Sequence, residues 1–123
     1  MYEDELRELE KAEVAFERQL DERGRLALPA TYRASLGERC MVFLGQDACL
    51  GVRTADSYAA EVAELNARVK RGEVDRDELR RMTYTAIEVA PDKQGRIPID
   101  TRLRSQVGID AQQPVMVAGA FDM

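Results

Sequence analysis

The sequence predicts a β-rich α+β fold made of two copies of one small unit, and three observations carry that prediction. Asp21-Glu22-Arg23-Gly24-Arg25-Leu26-Ala27-Leu28 returns 71 positions later as Asp92-Lys93-Gln94-Gly95-Arg96-Ile97-Pro98-Ile99. Arg33 and Gly37 recur in the same frame as Arg104 and Gly108, while Leu26, Leu28, Tyr32 and Leu36 align with apolar Ile97, Ile99, Leu103 and Val107. Between the copies, the apolar spacing changes from that of strands to that of helices. At 123 residues the chain can bury one sizeable core but not two. The halves are therefore expected to pack on each other as a pseudo-symmetric unit with their Gly-Arg turns side by side.

Along the chain, residues 3–12 place Leu6 and Leu9 at helical spacing among alternating charges, which predicts a solvated helix. Glu13 to Leu20 reads as a strand through Val14, Phe16 and Leu20. Asp21 to Gly24 is a turn, because Asp accepts from nearby amides and Gly adopts a positive φ. Arg25 to Leu28 is the next strand. Pro29 suits the start of a helix through Tyr32, Arg33 and Leu36, with Gly37 as its stop.

Met41 to Leu44 and Ala48 to Arg53 predict a hairpin with its loop near Gly45 and Gln46, setting Cys49 opposite Val42 and Cys40 opposite Gly51. Reduced thiols in a strand pair are expected there, rather than a disulfide or a metal site. Thr54 or Asp56 can cap a helix presenting Tyr58, Val62, Leu65 and Val69, a face expected to pack on the sheets, and Gly72 ends it. Asp75 with Glu78 resembles a capping box opening a second helix through Leu79 and Met82. Ile87 to Ala90 restarts the repeat, and Pro114 to Ala118 matches the strand from Met41 to Leu44.

The expected organisation is an acidic helical extension over 1–13 and a single duplicated domain over 14–123. Its first half covers 14–54, the helical insertion 55–86 and the second half 87–123, which lacks a terminal strand.

Composition narrows the function. Without histidine there is no Ser-His or Cys-His couple and no imidazole ligand. Carboxylates and lysines do not group into a site, and neither a phosphate-binding loop nor zinc spacing is present, so no enzyme, cofactor or metal is expected. No apolar run reaches bilayer length, and Met1-Tyr2-Glu3-Asp4-Glu5 lacks the parts of a secretory signal. A cytoplasmic protein without membrane association is expected. The net charge of -5 opposes nucleic-acid binding until its distribution is seen: residues 1–13 hold -4 of it. The second copy concentrates Lys93, Arg96, Arg102 and Arg104, which allows a basic face on a nearly neutral body.

The paired turns, the run Asp21-Glu22-Arg23-Gly24-Arg25-Leu26-Ala27-Leu28-Pro29-Ala30-Thr31-Tyr32-Arg33 and the helical insertion resemble the MraZ family of bacterial transcriptional regulators over about residues 14–121. The resemblance implies a pseudo-twofold barrel of two tandem swapped-hairpin halves like those of the AbrB and SpoVT group. It also implies a nucleoid-associated homo-oligomer, forming rings on double-stranded DNA with short direct repeats upstream of a division and cell wall gene cluster. The chain departs from the family pattern in its acidic opening, in Asp100 where a proline is usual, and in ending before a further strand.

Carried over by position, the family motif falls on Asp21, Gly24 and Arg25 and on Asp92, Gly95 and Arg96. The residues alone leave two uses of Arg25 and Arg96 open: contact with DNA, or pairing with Asp21 and Asp92 to hold the turns. The resemblance implies DNA contact. Arg23, Lys93, Arg33, Arg102 and Arg104 suit phosphate positioning, and Gly24 and Gly95 are turn-formers. The alternative function is an oligomeric assembly module that keeps this fold without binding DNA. An antitoxin fits less well, because those proteins join one such unit to a toxin-binding tail.

Overall fold

The computed structural model describes residues 15–45, 48–109 and 114–118. The predicted helix over 3–12, the first two residues of the predicted opening strand and the chain around Phe121 lie outside these residues. The described elements are β1 (Ala15–Gln19), β2 (Arg25–Ala27), α1 (Ala30–Leu36), β3 (Cys40–Leu44), β4 (Leu50–Thr54), α2 (Ala55–Lys70), α3 (Arg76–Tyr84), β5 (Ile87–Val89), β6 (Arg96–Pro98), α4 (Thr101–Val107) and β7 (Pro114–Ala118). The fold is mixed α+β with antiparallel sheets. Strands prevail by number, but helices prevail by length: α2 alone spans 16 residues, whereas β2, β5 and β6 span three each.

Local chemistry explains most element boundaries. Thr54 caps α2, its hydroxyl accepting from Ser57 N at 3.0 Å. Asp100 caps α4 through Arg102 N at 2.8 Å, at the position that Pro29 holds before α1 in the first copy. Asp75 caps α3 through Asp77 N, as the capping-box spacing predicts, and the Glu78 carboxylate pairs with Arg81. Pro29 occupies the N-cap position of α1 and not its first turn.

Apart from the β3–β4 hairpin, each strand pairing joins an element of the first copy to one of the second: β1 with β7, β2 with β6 and β3 with β5. The register respects the repeat. Leu26 lies opposite Ile97, its own equivalent 71 positions on, with Arg25 opposite Pro98 and Ala27 opposite Arg96. Cys40 faces Val89 in one outer ladder and Val115 faces Arg18 in the other, and Arg18 and Val89 are equivalents 71 positions apart. Among the described residues the strands form four ladders in three separate sheets and no closed barrel. The core draws on both copies: Leu20, Leu26, Leu28, Cys40 and Val42 pack with Ile97, Ile99 and Leu103.

The predicted hairpin register is corrected. Val42 faces Val52, Cys40 faces Thr54 and Phe43 faces Gly51. The loop is closed by Gly45 N donating to Cys49 O at 2.8 Å and runs on through Ala48 at φ 56°, which moves the centre of the hairpin along the chain. The shift is odd, so it exchanges the faces of the partner strand. Its steric basis is Phe43, whose buried ring lies where a Cβ on Gly51 would stand. Cys40 is buried and Cys49 exposed, and neither forms a disulfide.

On the insertion, Tyr58 packs its ring 5.1 Å from that of Phe43 and donates its hydroxyl to Met82 O at 3.0 Å, tying α2 to both β3 and α3.

Gly51→Ala is expected to lower stability by about 1–3 kcal/mol through overpacking against Phe43. Chemical denaturation measures this, and Phe43→Leu in the same background should recover part of the loss by opening the space. Unchanged stability in Gly51→Ala would contradict the steric account of the register.

Candidate nucleic-acid interface

Each Gly-Arg turn is organised around its aspartate. Asp21 Oδ1 accepts from Arg23 N at 2.9 Å and from Arg25 N at 2.8 Å, and its Oδ2 accepts from Arg25 Nε at 2.7 Å. Asp92 repeats the arrangement with Gln94 N, Arg96 N and Arg96 Nε at 2.9, 2.9 and 2.8 Å. Gly24 and Gly95 close the turns at φ 74° and 76°, where a side chain would be strained. Their amides donate to Asp21 O and Asp92 O at 2.9 Å.

The turns also bond each other. Leu28 N donates to Gly95 O and Ile99 N to Gly24 O, both at 3.0 Å. Arg25 Nη1 stands 3.8 Å from Asp92 Oδ2, and Arg96 Nη1 stands 3.8 Å from Asp21 Oδ2. Two aspartates and two arginines thus form one closed cluster in which each arginine faces the carboxylates of both copies. All four side chains are between 27% and 34% exposed, so solvent screens the pairs and they serve geometry more than stability. Asp21 is held below the usual carboxylate range, first by the Arg25 backbone N–H and then by its guanidinium. Asp92 is lowered in the same way, first by the Arg96 backbone N–H.

Arg33 and Arg104 reach across the repeat. Arg33 Nη2 donates to Leu28 O at 3.3 Å while its guanidinium lies where a Cβ on Gly95 would be. Arg104 Nε donates to Ile99 O at 3.1 Å, and its Nη2 lies 3.1 Å from the corresponding point on Gly24. Both glycines are therefore needed twice, for backbone conformation and for the arginine of the opposite copy. Sequence reasoning read the recurrence of Gly24 with Arg33 and of Gly95 with Arg104 as part of the repeat. It missed that each glycine packs with the other copy's arginine.

The structure brings Asp21, Arg25, Asp92 and Arg96 together and sets Arg33 and Arg104 behind the turns. At the tips, Glu22, Arg23, Lys93 and Gln94 are exposed, and their side chains form no hydrogen bond or ion pair with the described residues. Arg102 lies apart on α4, 81% exposed, with Nε 3.3 Å from Asp100 Oδ1. The arrangement offers two adjacent, braced loops, with cationic groups of Arg23 and Lys93 available to phosphate or base edges. No cluster of acidic or cysteine side chains fit for a metal occurs among the described residues. No described helix is long and apolar enough to cross a membrane.

Comparison with known proteins adds independent information. A family profile described as "MraZ protein, putative antitoxin-like" matches residues 12–81. A transcriptional regulator MraZ of Kocuria rhizophila is 37% identical over 105 residues, covering 85% of this chain and 73% of the relative. The protein of that name from Nocardioides is 40% identical over 103 residues, covering 84% and 70%. That from Cutibacterium acnes is 33% identical over 106 residues, covering 83% and 70%.

A depressed aspartate pKa stabilises the folded state above the unfolded-state value, near 3.8, and this contribution is lost as pH falls through the lower folded-state value. Asp21→Asn and Asp92→Asn should therefore be less stable than the parent at neutral pH, with the gap closing as pH drops below 3.8. Urea midpoints from pH 7 downward test this. A gap independent of pH would show that the carboxylate charge is not what the turns use.

Proposed function

Since the chain belongs to the MraZ family of transcriptional regulators, we propose that it is a sequence-specific DNA-binding regulator whose paired Gly-Arg turns contact double-stranded DNA. The observation that carries this reading is the pair of turns on neighbouring positions, joined by cross-copy backbone hydrogen bonds and reciprocal Asp–Arg ion pairs and tipped by cationic side chains that are unpaired among the described residues. In this reading Arg23 and Lys93 engage phosphate, and Arg25 and Arg96 add base or phosphate contacts from behind them. Arg33 and Arg104 hold the turns and supply further positive charge. Bracing lowers the conformational cost of binding, because the loops are ordered before DNA arrives.

The proposal includes the architecture. Residues 14–123 form one duplicated domain of two swapped-hairpin halves about a pseudo-twofold axis, and 1–13 form an acidic extension. The cross-copy register supports this, since Leu26 facing Ile97 is what such an axis requires. The bound DNA carries short direct repeats upstream of a division and cell wall cluster, and the protein acts in the cytoplasm on the nucleoid as a homo-oligomer, in ring form. Supporting association, β7 pairs with β1 on one edge and has no strand on its other edge among the described residues.

The charge cluster also favours a second reading, an assembly module of this fold that does not bind DNA. Arg25 and Arg96 already face carboxylates on both copies, leaving less charge for phosphate.

Binding to duplexes carrying repeated sites, measured across a salt series, separates the two readings: the regulator loses affinity steeply with salt. Arg25→Ala or Arg96→Ala should weaken specific binding by about 1–3 kcal/mol if the side chain reads a base, and reduce the salt slope by about one if it contacts phosphate. A folded double variant with parental affinity and salt dependence would remove these arginines from the interface.

A further inference from the structure

The repeated framework and the turn tips differ in one respect that bears on specificity. Asp21, Gly24, Arg25 and Arg33 recur as identical residue types in the second copy, and the structure uses each of them inside the protein. The two intervening positions do not recur. Glu22 becomes Lys93 and Arg23 becomes Gln94, so equivalent tips carry opposite charge at their first position. All four side chains are exposed and unpaired among the described residues, so none is used to build the turn.

We propose, on the basis of the DNA-binding reading above, that the two tips divide the work. Lys93 anchors the second turn to phosphate, and Glu22 is a specificity-determining residue that reads a cytosine in the major groove. A carboxylate at a DNA-facing tip is repelled by the phosphate backbone, so placing it there costs affinity. It recovers that cost only against a donor. Cytosine N4 and adenine N6 both donate in the major groove, but the N7 lone pair beside adenine N6 repels a carboxylate, so cytosine is the matched edge. Arg23 beside it supplies the compensating positive charge, and Gln94 beside Lys93 adds a neutral group able to donate and accept.

The braced framework makes the division effective. Backbone hydrogen bonds from Leu28 N to Gly95 O and from Ile99 N to Gly24 O, with the Asp–Arg ion pairs, join the two turns, so seating Lys93 on the DNA backbone limits where Glu22 can fall. Identical tips would leave the two orientations of the duplex equivalent. Opposite charges lift that equivalence.

The test selects a binding element from random duplex DNA with the full chain, then substitutes each base pair in turn for the parent, Glu22→Ala, Glu22→Gln and Lys93→Ala. The parent should discriminate at a C·G pair. Glu22→Ala should lose at least about fivefold of that discrimination at this pair alone, without a shallower salt slope. Glu22→Gln, which keeps an acceptor oxygen, should retain part of it. Lys93→Ala should weaken binding evenly across sequences and reduce the salt slope by about one. Circular dichroism melting checks that each variant is folded. If Glu22→Ala keeps the parental preference at each position, or weakens binding evenly, the assignment of Glu22 is overturned while DNA binding stands. A parent that binds no duplex in a salt-dependent way overturns the DNA-binding reading itself, and this inference with it.

Discussion

Pairing of β2 with β6 is the constraint on which the other cross-copy contacts depend. Each strand has three residues, too few to stand alone, yet Leu26 meets Ile97 across the ladder and both are buried. Hydrogen bonds from Leu28 N to Gly95 O and from Ile99 N to Gly24 O extend the pairing beyond the strand ends. That places each Gly-Arg turn beside the final strand residues of the opposite copy. Only then can Arg25 reach Asp92, Arg96 reach Asp21, and Arg33 and Arg104 settle over the glycines of the facing turns. Two weak local motifs become one braced surface.

The electrostatics of that surface follow from burial. Its aspartates and arginines are partly exposed, so the medium around them is closer to water than to a protein interior, and ion pairing adds little to net stability. Direction is what the pairs provide. Each aspartate receives two backbone N–H groups as well as a guanidinium, which fixes the turn and the Arg side chain at once. Charge near the turns is thereby separated into a neutralised base and a free tip. The tips are where the two copies differ in sequence, while the base is where they agree.

The resemblance read from the Asp-x-x-Gly-Arg pair led to the same family as the comparison with known relatives, because the motif is dense in residues with few substitutes. Gly at positive φ and Asp bonded to its own turn are chemical requirements visible without a structure. Of the two uses left open for Arg25 and Arg96, pairing with aspartate is realised in the structure, and it extends to the aspartate of the other copy as well as its own. Spacing within one turn revealed the local partner. The second partner required the approach of the other turn.

Sequence alone determined the elements whose causes are local: the two turns, the caps at Asp75 and Asp100 and the helices of the insertion, while between Thr54 and Asp56 the structure uses Thr54. Sequence also determined the duplication, because identity at a constant offset needs no geometry. Tertiary structure decided which strands pair across the copies and in what register. The hairpin shows why: alternating residues permit several offsets, and Gly51 was selected to face Phe43 by the volume of a ring that composition and period do not place. Packing of Arg33 on Gly95 and of Arg104 on Gly24 was decided in the same way. Strand register and side-chain packing are chosen by steric fit between segments far apart in the chain, and only the folded chain brings those segments within reach.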